Sequence, residues 1–137
     1  MNRHIHILDS TLRDGGYCND WEFGKNNIEI IVSNLISANI DIIECGLITK
    51  SNVSDNRSRY SNIEDANELV THKGNNSKFV LLMNYGDHDV DSLPEHKEDG
   101  IDGIRLAFHK KDMDGALEVA KKLRKRNIFY SCNLWWQ

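Results

Sequence analysis

The chain has 137 residues, enough for one domain with a core of its own. Its net charge of −4 and pI of about 5.8 argue against a nucleic-acid binder, which carries a basic face. No stretch approaches the ~20 apolar residues of a membrane span, and the polar, His-rich start is unlike a signal peptide. Cys18, Cys45 and Cys132 are odd in number and irregularly spaced, so a reducing cytoplasm is the expected setting rather than a disulfide framework.

The first predicted strand covers about Ile5–Asp9. A helix follows over about Lys25–Ala38, with Ile28, Ile31, Leu35 and Ile36 at helical spacing. The second strand is the apolar run Asp41–Leu47. Residues Ile48–Tyr60 are rich in Ser, Asn and Arg and read as a long loop. Ser61 or Asn62 can cap a helix over about Ile63–Thr71, with Glu64 in its first turn. Phe79–Met83 is the third strand and Ser92–Glu98 a short helix. Ile104–Phe108 is the fourth strand, and Met113–Arg126 a helix turning Leu117, Ala120 and Leu123 inward. Its cluster Lys121-Lys122-Leu123-Arg124-Lys125-Arg126 reads as a solvated face and a C-terminal charge. Ile128–Cys132 is the fifth strand.

Apolar strands separated by helices imply a parallel sheet covered by helices, in an α/β fold. An open doubly wound sheet and part of a (β/α)8 barrel both satisfy that pattern. The chain reaches Asn133-Leu134-Trp135-Trp136-Gln137 with no closing helix, and a barrel needs ~250 residues. The expectation is therefore a TIM barrel truncated to roughly its first five βα units, with residues 1–137 as its N-terminal part.

Chemistry is expected where strand one ends, at Asp9-Ser10-Thr11-Leu12-Arg13-Asp14-Gly15-Gly16-Tyr17. In either parallel architecture, ligands bind at the C-terminal ends of strands. Arg13 offers a planar fork of donors to a carboxylate or an enolate oxygen. Asp14 is a hard oxygen ligand suited to Mg²⁺ or Mn²⁺. Gly15 and Gly16 allow a tight turn; the plainer reading is a surface Arg–Asp pair in that turn. Glu44 interrupts an apolar strand, so it either has a buried partner, Arg13 being the candidate, or faces water on an edge. Alternation puts Ile42, Glu44 and Gly46 on one face, with Ile43, Cys45 and Leu47 on the other. Arg105 and His109 share a face of strand four. His109 reaches its ligand end, as a catalytic group or as an ordinary loop histidine. His4 and His6 lie at the opposite end and read as structural or solvent-facing. Asp87-His88-Asp89 reads as a solvated turn, Cys45 as an inert core thiol and Cys18 as an exposed one. There is no GxGxxG and no GxxxxGK[ST].

Leu8-Asp9-Ser10-Thr11-Leu12-Arg13-Asp14-Gly15-Gly16 closely resembles the first-strand signature of the metal-dependent aldolase and acyl-transferase superfamily called DRE-TIM metallolyases. This superfamily includes 4-hydroxy-2-oxovalerate aldolase, 3-hydroxy-3-methylglutaryl-CoA lyase and the isopropylmalate and homocitrate synthases. Ile43-Glu44-Cys45-Gly46 resembles its second strand. Arg105-Leu106-Ala107-Phe108-His109 resembles the fourth strand of the aldolase branch, which reads Arg-Val-Ala-Thr-His. The resemblance implies a TIM barrel with a divalent metal. Asp14 matches the metal-binding Asp, Arg13 the Arg that stabilises enolate charge, and Glu44 the Glu that supports the site.

Two features depart from that pattern. The superfamily's later His-x-His metal ligands have no counterpart here. Tyr17 stands where the aldolases carry a His and the synthases and lyases usually a Gln. Tyr17 could serve as acid or base only if its pKa fell far from about 10.

The resulting expectation is a metal-dependent, aldolase-like carbon–carbon lyase that acts on a small 2-oxo acid through a metal-stabilised enolate. This chain would be an incomplete catalytic domain, inactive alone, without nucleic-acid or membrane partners. Exposed sheet edges would make it a homo-oligomer. A Claisen-type acyl-transferase and a non-catalytic half-barrel binding domain are the alternatives.

Overall fold

A computed structural model describes residues 5–70 and 76–135. Its strands are β1 (Leu8–Asp9), β2 (Ile42–Ile48), β3 (Arg59–Tyr60), β4 (Lys78–Asn84), β5 (Gly103–His109) and β6 (Phe129–Trp135). The helices are α1 (Thr11–Asp14), α2 (Lys25–Ser37), α3 (Ile63–Asn67) and α4 (Met113–Lys125), with short 3-10 turns between elements.

All strand pairings are parallel, in the order β1-β2-β4-β5-β6, with the short β3 attached to β2. This order never reverses. A doubly wound sheet reverses at its switch point and places helices on both faces. Here α2 (Ile28, Val32, Ile36), α3 (Ile63, Ala66) and α4 (Ala116, Leu123) share one core with Ile43, Cys45, Phe79, Leu81, Met83, Ile104 and Leu106. The helices therefore cover one face, and the sheet curls away from them, as in part of a barrel. β4 is the central strand: Phe79, Val80, Leu81, Leu82 and Met83 are all buried, as expected of a parallel strand covered on both sides.

Several local expectations are corrected. The first strand pairs only through Leu8↔Ile42 and Asp9↔Ile43, so it is an edge, and Ile5 and Ile7 are exposed. The loop over Ile48–Tyr60 contains β3, paired through Leu47↔Arg59 and Ile48↔Tyr60. The helix expected over Ser92–Glu98 is a single 3-10 turn at Val90–Ser92. Asp89 caps it by accepting from the Asp91 amide, and Leu93 is extended because Pro94 disfavours helix before it. In α4 the inward stripe is Ala116, Ala120 and Leu123. Leu117, one residue and about 100° further round, is exposed. The helix over Ile63–Thr71 ends at Asn67 and tightens into a 3-10 turn through Val70. His4, Thr71 and Trp136 lie outside the described residues.

The basic cluster at the end of α4 is largely a solvated face, with Lys121, Arg124 and Lys125 exposed. Lys121 pairs with Glu118 and Lys122 with Asp91, while Arg126 donates to the Leu93 carbonyl. Cys45 is fully buried in the core, and its thiol is pushed well above its ordinary pKa, chiefly by burial and then by Glu44. Cys18 and Cys132 are exposed. A thiol reagent should therefore modify two of the three cysteines in the folded chain and reach Cys45 only on unfolding. Equal labelling of all three under native conditions would contradict this packing.

Candidate functional site

Immediately after β1 the chain makes the helical turn α1 and a 3-10 turn at Gly15–Cys18. Gly15 has an ordinary helical φ of −61°, so the glycine pair is not the tight turn anticipated from sequence. Gly16 serves another purpose, because a Cβ there would run into the Trp21 indole. The helical turn separates neighbours: Leu12 enters the helix-side core, and Arg13 reaches across the helix-free face.

Arg13 Nε donates to Glu44 Oε2 at 2.8 Å, and Arg105 Nη1 donates to Glu44 Oε1 at 2.7 Å. Glu44 is completely buried, in the interior strand β2, which removes the edge-facing alternative. A buried carboxylate is tolerable only when paired and hydrogen-bonded, and each of its oxygens has a guanidinium. Arg13 Nη1 also donates to Asp14 Oδ1 at 2.7 Å, while the Asp14 side chain is 63 % exposed. Arg13 Nη2 makes no hydrogen bond among the described residues.

Alternation along β2 fails after Glu44. The register to β4 shifts between Glu44 and Leu47, and Gly46 sits at φ 143°. The bulge turns Leu47 onto the Glu44 side, where it joins Trp21, Leu82 and Ala107 in a second small cluster. Trp21 is the residue that sequence reasoning missed. Asp20 and Trp21 both have positive φ, which folds the loop back over the helix-free face. Trp21 Nε1 donates to the Arg13 carbonyl at 2.7 Å. Tyr17 packs edge-on against the indole at 4.8 Å, and the Arg59 guanidinium lies 4.8 Å from its centroid. Ser58 ties the layers together. Its Oγ donates to the Leu12 carbonyl at 2.6 Å, and its amide to the Trp21 carbonyl at 3.0 Å. A run of three aromatics, Tyr17, Trp21 and Phe23, in one βα loop was the available signal.

Tyr17, Asn84, Tyr85, Ala107, His109 and Asp112 line an open cleft beside this network. Tyr17 and His109 are exposed on its rim and form no hydrogen bond with Arg13, Glu44 or Arg105. Thus Arg13, Asp14 and Glu44 come together with Arg105, and Tyr17 and His109 flank them. Among the described residues no group of three His, Cys, Asp or Glu side chains gathers to hold a metal. Asp14 supplies one hard oxygen donor, which by itself does not make a divalent-metal site. His6 is placed near Asp41 at the far end of the sheet. His88 lies between the carbonyls of Ser61 and Asp89.

No family profile matches the chain. It is 27 % identical over 126 residues to 4-hydroxy-2-oxovalerate aldolase 6 of Rhodococcus jostii, an alignment covering 87 % of this chain and 35 % of that protein. The chain therefore spans about a third of the length of the curated relative it matches. No helix of the described residues is long and apolar enough to cross a membrane. The sequence similarity is to part of an aldolase, and the curled parallel sheet is compatible with a truncated barrel.

Proposed function

We propose that this chain supplies the first βα units of a TIM-barrel, DRE-TIM-type lyase that cleaves or forms a carbon–carbon bond next to the carbonyl of a small 2-oxo acid. The observation carrying this reading is the buried Arg13–Glu44–Arg105 bridge, with Asp14 beside it at the C-terminal edge of the sheet. Glu44 fixes Arg13 through Nε, which fixes the plane of the guanidinium and directs its free Nη2 to one place. A donor held in advance stabilises charge developing on an enolate oxygen without reorganising during the reaction. Asp14 is proposed as one ligand of a Mn²⁺ or Mg²⁺ ion whose remaining ligands come from the complete barrel. When bound, such an ion would polarise the substrate carbonyl. Tyr17 and His109, on the cleft rim, are the candidates for proton transfer to and from substrate oxygen.

Mn²⁺-dependent pyruvate release from 4-hydroxy-2-oxo acids tests the reading, on this chain and on a longer polypeptide containing it. Turnover is expected in the longer protein, with Asp14→Asn lowering it by roughly 100-fold or more. Full activity in that variant would sink the assignment of Asp14. Silence with oxo acids, together with acetyl-CoA-dependent condensation, would replace the lyase by the acyl-transferase alternative.

A further inference from the structure

We propose that the cleft between Tyr17, Tyr85 and Asp112 takes a neutral, polyhydroxylated chain, so that the fragment joined to the 2-oxo acid is a hydroxy-aldehyde. The substrate half of this statement rests on the proposed lyase reading; the preference of the cleft does not. The cleft opens on the face that carries the arginine bridge. Arg105, Ala107 and His109 alternate along β5; Arg105 bonds Glu44, and Ala107 packs with Trp21. Ala107, in the cleft wall, is therefore one side-chain step of about 7 Å along the strand from Arg105. The lining is polar but poor in cations. Asp112 stands at the N-cap of α4, yet its carboxylate does not cap the helix and has no hydrogen bond or ion pair among the described residues, although it is half-buried. The Tyr17 and Tyr85 hydroxyls make no hydrogen bond among the described residues either. Tyr85 is held by packing on Gly115, where a Cβ would collide with its hydroxyl. Asp87, also in the lining, accepts from Asn84. Lys110 and Lys111, next after His109, do not line the cleft.

The unpaired groups select the ligand. A carboxylate needs a donor, whereas a phenol hydroxyl both donates and accepts. An alkyl chain would displace water from Asp112 and from both hydroxyls and leave them unpaired, which is costly. A carboxylate would bring a like charge close to Asp87 and Asp112. An ammonium donates only and leaves the phenol protons unmatched. Ligand hydroxyls donate to Asp112 and exchange hydrogen bonds with the tyrosines, while their carbon chain rests on the rings. In the proposed reaction the bond between C3 and C4 of a 4-hydroxy-2-oxo acid breaks. The C4 hydroxyl gives up its proton and becomes the aldehyde carbonyl, and the bonding pair stays on C3 as the enolate, which then takes up a proton. The carbons beyond C4 are the part that the cleft receives.

Amide NMR shifts of the 137-residue chain, titrated with erythritol, butan-1-ol, butylamine and succinate, test this inference with probes of equal carbon number. Erythritol is expected to saturate the shifts of Asn84, Tyr85 and Asp112 and to bind roughly fivefold tighter than the other three. Asp112→Asn should weaken erythritol by roughly tenfold and narrow its lead over succinate. Tyr85→Phe removes one hydroxyl and should weaken erythritol without helping succinate. A thermal melt confirms that both variants are folded; if Asp112→Asn is not, Tyr85→Phe and the wild-type order decide. In a longer polypeptide containing this chain, pyruvate should condense with erythrose at a kcat/KM roughly tenfold above that with butanal or succinic semialdehyde. Equal binding of the probes, preference for any of the other three, no effect of either variant, or no saturable shift at these residues overturns the inference. Erythritol binding lost in Asp112→Asn, with no condensation of any aldehyde, supports the cleft and removes the lyase reading. Condensation that favours butanal or succinic semialdehyde does the reverse.

Discussion

Replacing Glu44 by Ala is expected to destabilise the chain by about 3–5 kcal/mol, the cost of leaving buried charges without their counter-ion. Glu44 is fully buried and takes one hydrogen bond on each oxygen, from Arg13 and from Arg105. Its removal strands two guanidiniums that are themselves largely buried. Domains of this size are stable by only about 5–15 kcal/mol, so urea unfolding should show a large fall in midpoint, or no folded baseline at all. Glu44→Gln keeps one acceptor but points an amide at the second arginine, and should lie between. The triple change Arg13→Met, Glu44→Leu, Arg105→Met separates stability from function. Apolar replacement of a whole buried ionic group is often neutral or stabilising, so this variant should recover most of the lost stability while binding no oxo acid. A Glu44→Ala loss below about 1 kcal/mol would mean that water reaches the bridge and that it does not hold Arg13.

The second large effect is expected at Gly46, where Ala should cost about 2–5 kcal/mol. Its φ of 143° is strained for any residue with a side chain. A Cβ there would also press on the Ser58 backbone, with the carbonyl carbon at 2.8 Å. That carbonyl accepts from the Leu47 amide, and Ser58 in turn holds the Trp21 and Leu12 carbonyls. A shift at one bulge therefore loosens the indole lid and β3 together. Gly46→Ala should lower the unfolding midpoint and change the Trp fluorescence of the folded state. An unchanged midpoint would show that the bulge relaxes at no cost.

The helix and strand alternation was legible because burial on both faces leaves apolar runs such as Phe79–Met83 in the sequence. The Arg13–Glu44 pairing was legible because a carboxylate inside an apolar strand needs a cation. The face assignment of Leu47 was not. Period-two alternation assumes an unbroken ladder, and the bulge breaks it through a backbone angle that no hydrophobic pattern encodes. Arg59 was hidden for a similar reason: two residues of β3 within a polar segment carry no periodicity. Trp21 owes its place to two positive-φ residues, a loop conformation that composition does not specify. The order of the strands narrows what the alternation left open: it never reverses, and the curled sheet is compatible with a truncated barrel.

The most protected strand carries none of the proposed chemistry. β4 is central and buried on both faces, whereas Arg13, Asp14, Tyr17 and Trp21 belong to turns outside the edge strand β1. In amide hydrogen exchange, β4 should be among the last elements to open, and the exposed residues 17–20 should open through separate, smaller fluctuations. The exposed residues 17–20 can then change conformation on the timescale of ligand exchange while Arg13, held by Glu44, and the sheet beneath stay in place.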